Sequence, residues 1–151
     1  MGLHEHPRPA LTADVVAIRD RGKARRVLLV LRGRPPYEGR WALPGGFVDA
    51  FELPEAAARR ELAEETGLAL GDDVQFRLVG VYGEPGRDPR GWTVSVVYAV
   101  SVSEPAAQVA GGDDAADARW FPADALPPLA FDHDGIVADV LQAFDTSGAR
   151  S

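Results

Sequence analysis

Three carboxylates stand at one-turn spacing in this chain: Glu61, Glu64 and Glu65, at positions i, i+3 and i+4. If the segment around them is helical, a turn of about 100° per residue gathers them within an arc of about 100° on one face. A row of acids on a helix is most often a solvated face. The energetics run against that here, because like charges at these spacings cost roughly 0.2–0.5 kcal/mol per pair and the helix dipole disfavours negative charge near a C-terminus. A hard divalent cation reverses the sign of the repulsion, since magnesium and manganese take oxygen ligands. Metal binding is therefore the first chemistry to expect.

The segment Pro54–Thr66 has every local signal of a helix. Proline suits the first helical position, Glu55 falls in the dipole-favoured first turn, Ala56, Ala57 and Ala58 are strong helix formers, and Gly67 is a natural stop. Upstream, 15–18 and 27–32 read as strands joined through a turn of hairpin composition at Asp20, Arg21, Gly22 and Lys23. A loop over 33–39 leads into a short strand at 41–43 and then Pro44-Gly45-Gly46. Strands are expected at 75–82 and 93–102, the second alternating Val94, Val96, Tyr98, Val100 and Val102 on one face. A last helix begins near Asp132 and carries Ile136, Val137, Val140, Leu141 and Phe144 as an apolar stripe. Strands punctuated by helices predict an α+β or mixed α/β class. An irregular lead-in over 1–10, a single domain over 11–146 and a tail over 147–151 complete the division.

Composition narrows the function. The 151 residues hold 16 Lys+Arg against 23 Asp+Glu, a formal charge of −7, and no cysteine, which removes disulfides, thiolate nucleophiles and cysteine-based zinc sites. No apolar stretch approaches the ~20 residues of a membrane span, and the N-terminus lacks the pattern of a signal peptide. No membrane partner and a cytoplasmic location are expected. The first 51 residues carry nine basic and five acidic side chains, the rest seven and eighteen. Without a Lys/Arg run there is no surface for bulk nucleic-acid binding.

Residues 46–68, GFVDAFELPEAAARRELAEETGL, match G-x5-E-x7-R-E-U-x-E-E-x-G-U, with U a bulky aliphatic, at every fixed position. This resembles the signature of the Nudix hydrolases. The resemblance implies an α/β/α sandwich with a central mixed β-sheet flanked by helices, and a helix face that binds Mg2+ or Mn2+. It implies Glu61, Glu64 and Glu65 as catalytic metal ligands, the Gly46 backbone carbonyl as a further ligand, and a structural ion pair between Glu52 and Arg60. An acidic cleft would repel a diphosphate unless cations stood between them, and those cations would also activate water for in-line displacement. A carboxylate must take the remaining proton. The acidic stretch GGDDAADARWF resembles a loop from which some Nudix enzymes supply it, which makes Asp114 a candidate base and Asp113 a candidate metal ligand, with an ordinary acidic turn as the alternative. Glu84 is a second candidate base.

The connection 83–91 is longer than a hairpin needs and holds Arg87 and Arg90, suited to bidentate phosphate contacts unless it is a rigid surface loop. With RPALTADVVAI, PPYEGRWALPGGF and WFPADALPPLAFDHD, it resembles the ADP-ribose pyrophosphatase branch, which implies ADP-ribose plus water giving AMP and ribose 5-phosphate. Tyr37, Phe47, Phe51, Tyr82, Trp92 and Phe131 are candidates for an adenine slot or for the core. Phe51 departs from the family, many of whose members have glycine there. Rival substrates are NADH, a nucleotide sugar, a diadenosine polyphosphate and an oxidised nucleoside triphosphate. A non-catalytic ADP-ribose-binding module is the rival from another class. Related pyrophosphatases are often homodimers, so a homodimer is among the expected assemblies.

Overall fold

The computed structural model describes residues 5–21, 24–103, 109–112 and 115–148. Gly22 and Lys23 of the expected turn lie outside them. The alternating strand over 93–102 becomes β6 (Thr93–Ser101), and its register partner is β1 (Ala10–Arg21). These two run parallel from Ala10 beside Thr93 to Ile18 beside Ser101 and form the middle of a seven-stranded mixed sheet. β5 (Arg77–Tyr82) closes one side antiparallel to β6. On the other side β2 (Ala24–Arg32) pairs antiparallel with the end of β1, and β7 (Ala115–Pro122) lies along β2.

β1 and β2 do not stay together. Their pairing runs only from Arg21 and Ala24 to Ile18 and Val27. Beyond it the strands diverge, and the chain over 41–47 enters the fork. β3 (Trp41–Ala42) bonds to Leu31 and Val30 of β2, and β4 (Gly45–Phe47) bonds to Asp14, Ala13 and Thr12 of β1. Between them the Val15 N–H donates to Pro44 O at 2.9 Å. Nothing in the local composition marks β4, because Pro-Gly-Gly is a turn sequence. Three residues suffice as a strand here because β1 offers a free edge.

Period-two alternation on the central strands builds two cores. Ala13, Val15 and Ala17 of β1, with Tyr98 and Val100 of β6, face α1 (Pro54–Thr66), which buries Ala57, Ala58 and Leu62 against them. Val16, Ile18, Val97 and Ala99 face the opposite way, onto Ile136, Val137 and Val140 of α2 (His133–Gly148). The result is the α/β/α sandwich with a central mixed sheet, and the expected extents of α1 and of the apolar stripe on α2 both hold. No helix among the described residues is long and apolar enough to cross a membrane.

The end of α1 is closed from two directions. Gly67 adopts φ +77° and returns its N–H to Ala63 O, a left-handed stop that glycine takes without Cβ strain. The segment before β7 then takes the last free carbonyls: Ala110 N–H donates to Thr66 O at 2.9 Å and Gly112 N–H to Glu65 O at 3.1 Å.

α2 is tied to the fork by its first residue. His133 is buried and its Nδ1 accepts the Leu43 N–H at 3.0 Å, which leaves the ring proton on Nε2. Burial, with Arg87 and Arg32 adding to it, lowers the imidazole from 6.5 to about 4. As pH falls, an unfolded histidine therefore takes its proton before the folded one does, and stability is lost between about pH 6.5 and 4. The gap corresponds to at most ~3 kcal/mol. Denaturant unfolding at pH 7 and pH 4 should show a larger acid loss in the native protein than in His133→Asn. Equal losses would remove His133 as a source of acid sensitivity.

Candidate active site

The fork sets the backbone of 45–47 against the acidic face of α1. Glu65 Oε1 accepts the Gly45 N–H at 2.7 Å. At Gly46 an added Cβ would lie 2.6–2.7 Å from the Glu61 carboxylate, so any side chain there would push the tip of Glu61 aside. Burial pushes the Glu65 carboxyl up to about 8, Glu61 and Asp14 adding to the rise and the Gly45 N–H opposing it.

Arg60 organises the outer half of the site. Its fork closes on Glu52 at 2.9 and 3.0 Å, a third N–H bond reaches Phe47 O at 3.1 Å, and Nη1 donates to Glu61 at 2.8 Å and Glu64 at 3.2 Å. Glu52 also accepts the Asp49 N–H at 2.9 Å. Arg60, with that backbone bond, pulls the Glu52 carboxyl down to about 2. The pair fastens the loop over 47–52 to the helix.

The donor set suits a hard divalent cation. Every candidate ligand is an oxygen, and the carboxyl of Glu65 is raised by burial with Glu61 and Asp14 adding to it, a cost to the carboxylate that a cation relieves. Among the described residues no three acidic or histidine side chains yet converge on one point. The reason is visible in the bonds: Arg60 holds Glu61 and Glu64, and the Gly45 N–H holds Glu65. A bound cation would compete with those donors for the same carboxylates.

Glu61 and Glu65 line a cleft of about 450 Å³. Cations line it too. Arg32, at the end of β2, bonds Pro36 O through Nε at 2.6 Å and lies 5.0 Å from the Phe131 ring centre. Arg90 is gripped by Asp88 at 2.8 and 3.1 Å, and its guanidinium sits 5.1 Å from the ring of Phe47 and 5.6 Å from that of Phe131. Burial works to raise the Asp88 carboxyl, but the hydrogen bonds from Arg90 hold it below the usual range. Carboxylates and guanidiniums lining the same cleft match a metal–diphosphate ligand better than either charge alone.

Other expected residues sit elsewhere or are otherwise engaged. Arg87 touches the cleft, but its fork closes on Asp132 at 2.7 and 2.9 Å, which turns its bidentate face away from a phosphate. Asp132 accordingly serves Arg87 with its side chain, not the helix start. Tyr82 lies on the α2 side of the sheet and donates to Asp139 at 3.1 Å, outside the cleft lining. Glu84 is exposed on the loop and Phe51 projects wholly into solvent. Asp113 and Asp114 lie outside the described residues, although Gly112 beside them bonds the end of α1. Arg32 and Asp14 line the cleft too, and neither stands out in the sequence as a site residue. For Asp14 a signal exists, since an acid inside the apolar run of TADVVAI is costly without a purpose.

The sequence matches the NUDIX domain family over residues 8–142. The chain belongs to that family. As a Nudix hydrolase it is similar to the ADP-ribose pyrophosphatase of Methanocaldococcus jannaschii, with 41% identity over 134 residues, 89% of this chain and 74% of that one. The NUDIX domain of Shewanella oneidensis NrtR, solved with ADP ribose, superposes with a TM-score of 0.83 at 33% identity, covering 95% of this chain and 94% of that one. A bifunctional NMN adenylyltransferase/ADP ribose pyrophosphatase from Francisella tularensis, solved with AMP and a Mn ion, gives a TM-score of 0.78 at 28% identity, over 93% of this chain and 44% of that one.

Phe51 stands at a variable position of the box, and its backbone conformation is one that favours glycine. Phe51 occupies the third position of a turn closed by Glu52 N–H to Asp49 O at 3.0 Å, with φ +65°. A side chain in this left-handed region costs about 1 kcal/mol, and one in solvent recovers nothing by packing. Phe51→Gly should raise the thermal midpoint by roughly 2–4 °C. A lower midpoint would mean that the ring has a partner.

Proposed function

We propose that this protein hydrolyses the diphosphate of ADP-ribose, with Mg2+ or Mn2+ bound, to give AMP and ribose 5-phosphate. The observation that carries the proposal is the 41% identity to an ADP-ribose pyrophosphatase across 89% of the chain, a span that includes the carboxylate face of α1 and the guanidiniums that share its cleft. Its support is strengthened by a second Nudix protein that binds ADP ribose and a third solved with AMP, the expected product.

Glu61, Glu64 and Glu65, with the Gly46 carbonyl, would hold the cation. When bound, it supplies charge neutralisation for the diphosphate and acidifies a water molecule. The protein's own side chains do the rest. Arg60 and Glu52 keep the loop over 46–52 seated on α1, so that Gly46 faces Glu61. Arg32 and Arg90, in the same cleft, balance charge on the diphosphate. Phe47 and Phe131, already packed on Arg90, offer planar apolar surface near the cleft for a base. Asp114 and Glu84 remain the candidates for taking the proton of the attacking water, as expected from the acidic loop and the long connection.

The test is AMP release from ADP-ribose beside NADH, a nucleotide sugar, a diadenosine polyphosphate and an oxidised nucleoside triphosphate, all with magnesium. ADP-ribose should give the highest kcat/KM. The double change Glu64→Gln with Glu65→Gln should lower kcat by roughly 10²-fold or more while ADP-ribose still binds. AMP release from ADP-ribose no faster than cleavage of the competitors would remove the substrate assignment. Binding without any turnover in the parent would make the protein a non-catalytic ADP-ribose-binding module.

A further inference from the structure

At the inner end of the cleft, β1, β6 and the loop over 83–91 bring together polar side chains that the hydrolytic scheme leaves unused. Thr12 and Asp14 lie on the same face of β1, and Ser95 of β6 stands beside Thr12 in parallel register. The Thr12 and Ser95 hydroxyls share a hydrogen bond, and Thr12 donates to Asp14 at 3.4 Å. Arg87 donates to Ser95 at 2.8 Å through Nη1 while Nε and Nη2 close on Asp132. Thr12, Asp14 and Ser95 all line the cleft, at 7, 6 and 1% exposure.

The group is short of donors. Arg87 is committed to Asp132 and Ser95, and among the described residues no cation is hydrogen-bonded to Asp14. A carboxylate has about four acceptor positions, whereas Thr12 and Ser95 own one O–H each. A ligand completing this floor must bring neutral hydrogen-bond donors. A phosphoryl oxygen brings only acceptors to a carboxylate that takes donors, so it does not complete this floor. Apolar surface would leave the carboxylate unsatisfied. Adjacent hydroxyls on a sugar supply donors to the carboxylate and acceptors to the two O–H groups at once.

We propose that Thr12, Asp14 and Ser95 form a subsite for the vicinal hydroxyls of a ribosyl group attached to the diphosphate, with Arg87 and Asp132 as positioning residues that fix Ser95. The inference rests on the hydrolase assignment and refines it. ADP-ribose carries two such ribosyl groups, one on adenine and one terminal. The carboxylates of α1 lie next to this floor, so a sugar directly joined to the diphosphate reaches it.

Steady-state kinetics of the metal-loaded protein test this with Ser95→Ala, Thr12→Val and the hydroxyl-retaining control Ser95→Thr. The substrates are ADP-ribose, its analogue lacking the 2′-hydroxyl of the adenosine ribose, and ADP, which lacks the terminal ribosyl. In Ser95→Ala, KM for ADP-ribose should rise roughly tenfold with kcat changed by less than about twofold, and Ser95→Thr should recover most of the loss. The preference for ADP-ribose should shrink by the same factor against one analogue only: ADP if the terminal ribosyl sits here, the deoxy analogue if the adenosine ribose does. A parallel decline on all three substrates, or an unchanged KM, overturns the subsite while leaving the hydrolase assignment intact. If the parent does not prefer ADP-ribose as a substrate, that assignment fails first, and calorimetric ADP-ribose binding to the same variants then decides the subsite by the same tenfold criterion. Absence of ADP-ribose binding to the parent overturns both. Should Ser95→Ala fail to fold by circular dichroism, Thr12→Val carries the comparison.

Discussion

The fork between β1 and β2 is the constraint on which the site depends. Their pairing stops at Ile18 and Val27, and the chain over 41–47 fills the gap with backbone hydrogen bonds to both strands. Filling it brings Gly45 against the backbone of β1 at a distance that no side chain would tolerate, and Gly46 against the Glu61 carboxylate. The same wedge receives the start of α2 through His133 and Leu43. One backbone segment thereby fixes the metal-binding face on one side of the sheet and the inner end of the cleft on the other.

Electrostatics then divides the labour. Glu61 and Glu64 are held apart from full convergence by Arg60, which is itself anchored by Glu52, while Glu65 is restrained by a backbone N–H. These contacts hold mutually repelling acids in place and, each being partly exposed, would yield to a cation. Acidity that would deter a diphosphate in a metal-free cleft becomes the means of recruiting it. Arg32 and Arg90 share the cleft with Glu61 and Glu65 without neutralising them directly, because each is also tied to its own neighbours.

Local signals make α1 legible from its residues alone. Its proline start, alanines, glycine stop and glutamate spacing all lie within a few residues of one another, and the helix has the bounds they imply. β6 is equally plain, since its alternation reflects a strand whose one face packs under α1. β4 is hidden because its pairing comes from the free edge of β1, well upstream in the chain, while its own composition is that of a turn. Arg87 shows the same limit in side-chain terms: its type and loop suggest phosphate, but Asp132, distant in sequence, occupies its fork. Arg32 ends a strand that reads as core, and only the fold turns it toward the cleft. At Phe51 the positive φ supplies a physical reason for glycine to be favoured.

Cation binding by the acids of α1 is the central claim, since both the recruitment of a diphosphate and the activation of water depend on it. Direct titration of Mn2+ by electron paramagnetic resonance, on the folded protein without nucleotide, measures this most simply. Saturable binding to the parent, weakened roughly tenfold or more in Glu61→Gln with Glu65→Gln, is the predicted result. Equal affinity in both proteins, or no saturable binding in the parent, would contradict it.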